Sequence, residues 1–151
     1  MASYPAKEAR AMTTTETATL IPHALPTCPN ARIILFAMRR MGAHGIGDAR
    51  VGHLFFSSFG QAFRRPLTLM RTLMIELASG AAGTIAIAPC CCARMTTAEA
   101  ALLTTLARIE TQPDSARFLM SDLLGTRRVE PALMAAAAVA AAFADEGRPI
   151  A

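Results

Sequence analysis

The chain has 151 residues, of which 53% are hydrophobic and 17% are charged. This composition excludes a disordered polymer, and the length fits one compact domain, since domains commonly have roughly 100–200 residues. The formal net charge of +4 is compatible with a polyanionic partner, but a basic balance alone does not establish one.

No membrane span or secretory signal is predicted. The longest stretch without Asp, Glu, Lys or Arg covers residues 77–93 and is broken by two glycines and a proline. A spanning helix needs about 20 continuous apolar residues. The N-terminal segment lacks an apolar core followed by a cleavage site, so a cytoplasmic location is expected. Met12 is an alternative start, and we expect residues 1–20 to be a disordered or misannotated extension of a single helical domain over 21–149.

Three amphipathic helices are predicted in the first half of this domain. The first covers residues 31–41, where apolar residues recur at spacings of three and four, with Asn30 as its N-cap. Asp48 caps the second helix. Pro66 suits the first turn of the third, which ends near Gly80.

The second half begins with the only strong candidate strand, residues 84–88. It is expected to pair with an unrecognised strand, to pair across a dimer, or to be an extended connection beside the helices. Thr96 and Glu99 form the capping box of a fourth helix, and Pro113 and Pro131 open a fifth and a sixth. The predicted fold is therefore mainly α: a single compact domain of five to six helices, with at most one short extended segment near 84–88.

Four segments carry a resemblance to a known family: LPTCPNARIILFAMRRMGAHG, FRRPLTLMRTLMIELA, IAPCCCARMTTAEAALL and the closing AFADEGRP. In this succession the chain resembles an uncharacterised domain-of-unknown-function family of small alphaproteobacterial, sphingomonad-type proteins with an APCCC-x-RMT motif. The resemblance spans most of residues 21–149. It implies no catalytic residue, cofactor or partner, and it supports placing residues 1–11 outside the domain.

Cys90, Cys91 and Cys92 are the most unusual group in the sequence. An extended backbone would point the first and third side chains one way and Cys91 the other, and the paired C-x-x-C spacing of zinc sites is absent. The thiols precede the helix start at Thr96 and lie beside an arginine, and both influences favour thiolate. Three hypotheses stay open: a metal site at the three cysteines, completed by Cys28 or a histidine; a redox-responsive pair; or simple packing as small hydrophobes.

Basic residues concentrate in the first half. Residues 30–72 hold seven arginines and one acidic residue, whereas the chain from residue 73 onward holds six arginines and eight acids. The candidate anion-binding residues are the two arginine pairs, Arg39 with Arg40 and Arg64 with Arg65. The helical wheel places the first pair around Phe36, away from the apolar face of its helix, so an exposed ring among guanidiniums is the patch expected to hold phosphate or stack a base. In the alternative interpretation, the arginine stems cover apolar surface, or the basic and acidic halves attract each other within the fold.

These features predict a small non-enzymatic interaction or regulatory module whose cysteine segment senses metal or redox state. No catalytic residue or cofactor is assigned, and the expected partner is another protein. Two alternatives remain: polyanion or nucleic-acid binding through the arginines of helices one to three, and a thiol-dependent enzyme.

Overall fold

The protein is described by a computed structural model over residues 21–151. The helices of this part are α1 (Pro29–His44), α2 (Ala49–Phe59), α3 (Arg64–Gly80), α4 (Thr97–Arg108), α5 (Pro113–Leu124) and α6 (Glu130–Asp145), with a 3-10 turn (Gly60–Phe63) before α3. The mainly α fold expected from the sequence is confirmed. The extension predicted at residues 1–20 lies outside the described residues.

Helix α1 begins earlier and ends later than predicted. Cys28 is its N-cap, and Pro29 occupies the first turn, where a missing N–H is tolerated because the first N–H groups of a helix have no intrahelical partner. The prediction of Asn30 as the N-cap is therefore wrong. The Asn30 side chain instead donates to the carbonyl of Pro149 (2.9 Å) and accepts from Arg148 (3.3 Å), which ties the end of the chain to α1.

The other predicted helix boundaries agree well with the structure. Asp48 caps α2 by accepting from the backbone N–H groups of the first turn. Thr96 and Glu99 form both hydrogen bonds of the capping box at the start of α4. Gly125 follows α5 with φ +65°, a left-handed conformation that glycine adopts without the steric penalty of a Cβ.

The helices share one hydrophobic core. Helix α3 packs along α6, and α4 packs along α5. The alanine-rich α6 buries small residues such as Ala132 and Ala136, so its backbone approaches its neighbours closely. At Phe143 the same helix supplies a ring that meets Phe55 (6.1 Å between centroids) and Phe59 (4.9 Å) edge to face, an arrangement that aromatic pairs favour. No helix within residues 21–151 has the length and apolarity needed to cross a bilayer.

Residues 84–88 form a connection without strand pairing to any part of the described chain. Ile85 and Ile87 are half-buried against the core. The segment is fixed at its centre, where the Thr96 hydroxyl donates to the Ala86 carbonyl (2.7 Å). Within the described chain the segment is therefore the ordered connection beside the helices, and its pairing across a dimer stays a prediction.

The strand pairing lies elsewhere in the chain. Strand β1 (His23–Ala24) pairs antiparallel with β2 (Arg94–Met95). The Arg94 guanidinium adds hydrogen bonds to the carbonyls of Ile21 (2.8 Å) and Pro22. This small ladder holds the segment before α1 against the segment before α4.

Candidate functional site: the cysteine turn

Residues 89–92, the cysteine turn, connect the 84–88 segment to β2. The Cys92 N–H donates to the Pro89 carbonyl (3.0 Å), which closes a β-turn with Cys90 and Cys91 at its centre. These two residues are exposed and Cys92 is half-buried. The alternating side chains expected for an extended backbone are therefore not present, because the chain reverses direction at the cysteines. None of the chain's four cysteines forms a disulfide.

A buried ion pair lies beneath the cysteine turn. Arg39 on α1 and Glu99 on α4 are 4% and 0% exposed and form two parallel hydrogen bonds of 2.9 Å each. This bidentate geometry is the strongest that guanidinium and carboxylate groups form. The hydrogen bond to Glu99 raises the pKa of Arg39 above its usual value, so the guanidinium stays charged inside the protein.

The same ion pair holds both sides of the cysteine turn. Before the turn, the Ala88 N–H donates to Glu99 Oε1 (3.0 Å). After it, Arg39 donates to the carbonyls of Cys92 (2.8 Å) and Arg94 (2.6 Å). Glu99 Oε2 also accepts from the Thr96 N–H (2.9 Å). Both carboxylate oxygens and all three guanidinium nitrogens of the pair thus have a partner, and the turn is fixed to α1 and α4 together.

A second guanidinium borders the turn from α1. Arg40 binds Asp48 through contacts of 2.6 Å and 3.3 Å. This hydrogen bond raises the pKa of Arg40, and the Cys90 side chain adds smaller hydrogen-bond and charge contributions. The arginine likewise lowers the pKa of Asp48, so the carboxyl stays ionised. The cysteine turn therefore has a positive group beside its first thiol.

Cys28 lies in a different setting, at the N-terminus of α1. Burial raises the pKa of its thiol, but hydrogen bonds from the backbone of Ala31, Ala151 and Asn30 outweigh burial, and the net pKa is below its ordinary value. Its environment is thus the start of a helix and the end of the chain. The redox pairing of Cys28 with one of the other cysteines stays a prediction.

The metal hypothesis concerns Cys90, Cys91 and Cys92. Within residues 21–151, no three His, Cys, Asp or Glu side chains are arranged to hold a metal ion. His23, which the metal hypothesis adds to the cysteines as a possible histidine ligand, is exposed and lies opposite Met95 in the β1–β2 ladder. Metal binding by the three thiols stays a prediction.

The four candidate anion-binding arginines lie in different environments. Arg39 is enclosed with Glu99, in contrast to the outward position that the helical pattern suggests. Arg40 is bound to Asp48. Arg65 contacts Asp145 (2.6 Å) with both side chains more than half exposed, and Arg64 lies 5.7 Å from the Phe63 ring centre. The structure thus separates Arg39 from the exposed pair at the start of α3.

The role of Glu99 beyond its helix cap is absent from the sequence interpretation. The capping box identifies the residue, but nothing in the local pattern connects it to an arginine sixty positions earlier. The sequence signal that bears on the contact is a capping acid only seven residues after a cysteine run.

Residues 12–112 match the family of unknown function DUF6628. The chain belongs to this family. The DUF6628 match includes α1 to α4, the cysteine turn and both members of the Arg39–Glu99 pair. The DUF6628 residues therefore contain the whole candidate site, whereas α5 and α6 follow the matched range. No curated protein and no solved structure matches the chain.

Proposed function

We propose that this protein is a non-enzymatic thiol-based regulatory module in the cytoplasm, where the cysteine turn responds to oxidant or to a soft metal ion and a partner protein reads the change. One observation carries the proposal: the adjacent thiols of Cys90 and Cys91 are exposed at the centre of a turn. Thiols that serve only as packing groups are usually buried.

The anchoring of the turn supports a signalling role. Ala88 precedes the thiols and Cys92 is the last of them, and both are hydrogen-bonded to the Arg39–Glu99 pair. A covalent change at the tip that alters the turn's backbone strains those hydrogen bonds. The strain acts on α1 and α4 at once, which provides a route from thiol chemistry to helix position.

The oxidative step uses a peroxide. One thiolate attacks a peroxide oxygen and the O–O bond breaks, so that the sulfur becomes a sulfenic acid and the leaving hydroxide takes up the proton released by the thiol and departs as water. A neighbouring thiol of the turn then condenses with the sulfenic acid, which forms a disulfide and releases a second water. Two thiols are oxidised and one hydrogen peroxide is reduced.

Thiol titration combined with thermal melting tests the proposal. In the native protein, an aromatic disulfide reagent should react rapidly with at least the Cys90 and Cys91 thiols. A variant with Ser in place of Cys90, Cys91 and Cys92 should keep its melting temperature within a few degrees and lose its peroxide response. The control Cys28→Ser should keep that response.

A packing role for these cysteines predicts the opposite pattern. Hydroxyls buried in place of packed thiols destabilise by about 1–3 kcal/mol for each group without a hydrogen-bond partner. Native thiols that resist the reagent, together with a large loss of melting temperature in the triple variant, would reject the sensor.

Metal is the second stimulus in this proposal, with Cys90, Cys91 and Cys92 as the ligands. Thiolates favour soft ions, so titration with cadmium should produce thiolate-to-metal absorption in the wild type. The triple serine variant should show none.

The thiol-dependent enzyme is the weaker alternative on geometry. Glu99 lies beneath the turn and Asp48 binds the arginine that borders Cys90, and each of these carboxylates is bound to a guanidinium. A nucleophilic cysteine is normally activated by an adjacent group that accepts its proton. An alphaproteobacterial origin and the APCCC-x-RMT motif as a mark of the family stay predictions from the sequence.

A further inference from the structure

An apolar cavity of about 200 Å³, open to solvent on one side, lies apart from the thiols of the cysteine turn. Its walls come from α1, α3, α4 and α5 and from the connection that follows α3. The side chains that form most of the wall are Met38, Met74, Leu77, Ile85, Ile87 and Leu102.

The lining determines what the cavity can hold. None of its side chains is ionisable or forms hydrogen bonds. A water in the pocket finds none of the two to four polar partners that a bound water needs. An enclosed engineered cavity of about 150 Å³ with an apolar lining binds benzene, and this half-open pocket has room for the same ring. Wall atoms that face empty space lose dispersion contacts, which an apolar guest restores.

We propose that this cavity is a binding site for a small neutral apolar molecule, such as a single aromatic ring or a short alkyl chain. A charged ligand is disfavoured because it would lose its hydration without gaining a partner. The proposal is independent of the thiol function, since no cysteine lines the cavity.

Two features of the wall suit a guest of this kind. Met38 and Met74 have flexible, polarizable side chains that adjust to different shapes. On α1, one turn after Met38, a Cβ at Gly42 would lie 3.1 Å from the end of the Ile87 side chain. Glycine at this helical position thus lets Ile87 approach α1 and complete the wall.

Titration of the full-length protein with benzene, followed by the chemical shifts of backbone amides, tests the site. Shifts should saturate with one-site behaviour and be largest at lining residues such as Leu77 and Leu102. Benzoate, which has the same ring and a negative charge, should bind at least tenfold more weakly.

Two cavity-filling variants and one matched control identify the site. Ala78→Leu and Ala98→Leu add volume to the lining and should each weaken benzene binding at least tenfold. Ala144→Leu makes the same change at an exposed helical alanine outside the cavity and should bind benzene as the wild type does.

Non-saturating shifts up to the solubility limit of benzene, or unchanged affinity in the filled variants, would overturn the proposal. Ala78 is exposed at the cavity rim, so its variant is expected to fold, as circular dichroism checks. This variant decides the matter if Ala98→Leu fails to fold.

Discussion

The single carboxylate of Glu99 has three roles: it caps α4, it is the counter-ion of Arg39, and it accepts hydrogen bonds from backbone N–H groups. Its oxygens accept from Arg39, from the Ala88 N–H and from the Thr96 N–H. A buried ion pair contributes little net stability because both charges lose their hydration, but removal of one partner leaves the other charge uncompensated. The loss of stability is therefore greatest when only one of the two charged side chains is replaced.

Replacement of Glu99 by Gln should destabilise the protein by about 3–5 kcal/mol, the typical effect of breaking a buried pair. Glutamine keeps the shape but has one acceptor oxygen, so donors that now meet two oxygens lose a partner and the Arg39 charge is uncompensated. Urea unfolding followed by circular dichroism measures the change. The control Glu130→Gln breaks the exposed contact to Arg117 and should have a much smaller effect. Equal effects of the two substitutions would contradict the assigned role of the pair.

At the scale of elements, α2 and the cysteine turn share a contact through Asp48. Its carboxylate caps α2 and binds Arg40, whose guanidinium borders Cys90. Arg40 lowers the pKa of Asp48 in the folded state. The stabilisation from this carboxylate is therefore fully present above its unfolded pKa and is lost as pH falls through the folded pKa.

Asp48→Asn should flatten the acid side of the stability profile. Asparagine is a good N-cap, so α2 keeps its start, while the charge contact to Arg40 is lost. The variant should be less stable than the wild type at pH 7, and the difference should shrink as pH falls below the usual Asp pKa of about 3.9. Thermal melts from neutral to acidic pH measure this. A difference that stays constant across the series would show that the ionised carboxylate contributes nothing.

The elements also show which features local sequence determines. The caps at Asp48 and Thr96 and the stop at Gly125 involve residues close together in the chain, and all three were predictable. The β1–β2 ladder joins segments far apart in sequence, and each strand has only two residues, which is too short for a detectable alternation. Pairing of this kind follows from tertiary contacts and leaves no local pattern.

The candidate site likewise has features that local sequence predicts and features that depend on tertiary contacts. The three adjacent cysteines were identified directly from the sequence, but their turn conformation depends on hydrogen bonds to Arg39 and Glu99. The helical pattern predicts Arg39 on the outer face because the residue lies away from the apolar positions of α1. The residue is buried because its partner Glu99 is supplied by another helix, which no local pattern shows. The sequence therefore predicts exposed thiols only as one of several alternatives, beside cysteines packed in the core.

On the scale of the whole molecule, contacts between the basic and acidic halves account for part of the charge asymmetry. Arg39 binds Glu99 in the core and Arg65 binds Asp145 at the surface. Both contacts join residues of the basic half to acids of the second half. For these two arginines the structure therefore supports attraction between the basic and acidic halves. Polyanion binding, the alternative function, would depend on the exposed arginines around the start of α3.

Heparin chromatography tests the polyanion alternative with two variants of equal net charge. Because bound phosphate or sulfate groups release counter-ions, retention by a basic surface should fall as salt rises. Arg64→Glu combined with Arg65→Glu should abolish retention, since it reverses the charge of the two exposed arginines that begin α3. Arg127→Glu combined with Arg128→Glu changes two exposed arginines of the second half and should leave retention close to that of the wild type. If both variants lose retention equally, retention depends on net charge and not on the start of α3. If the wild type elutes at low salt together with the first variant, polyanion binding is rejected, because the charges at the start of α3 then only keep the surface hydrated.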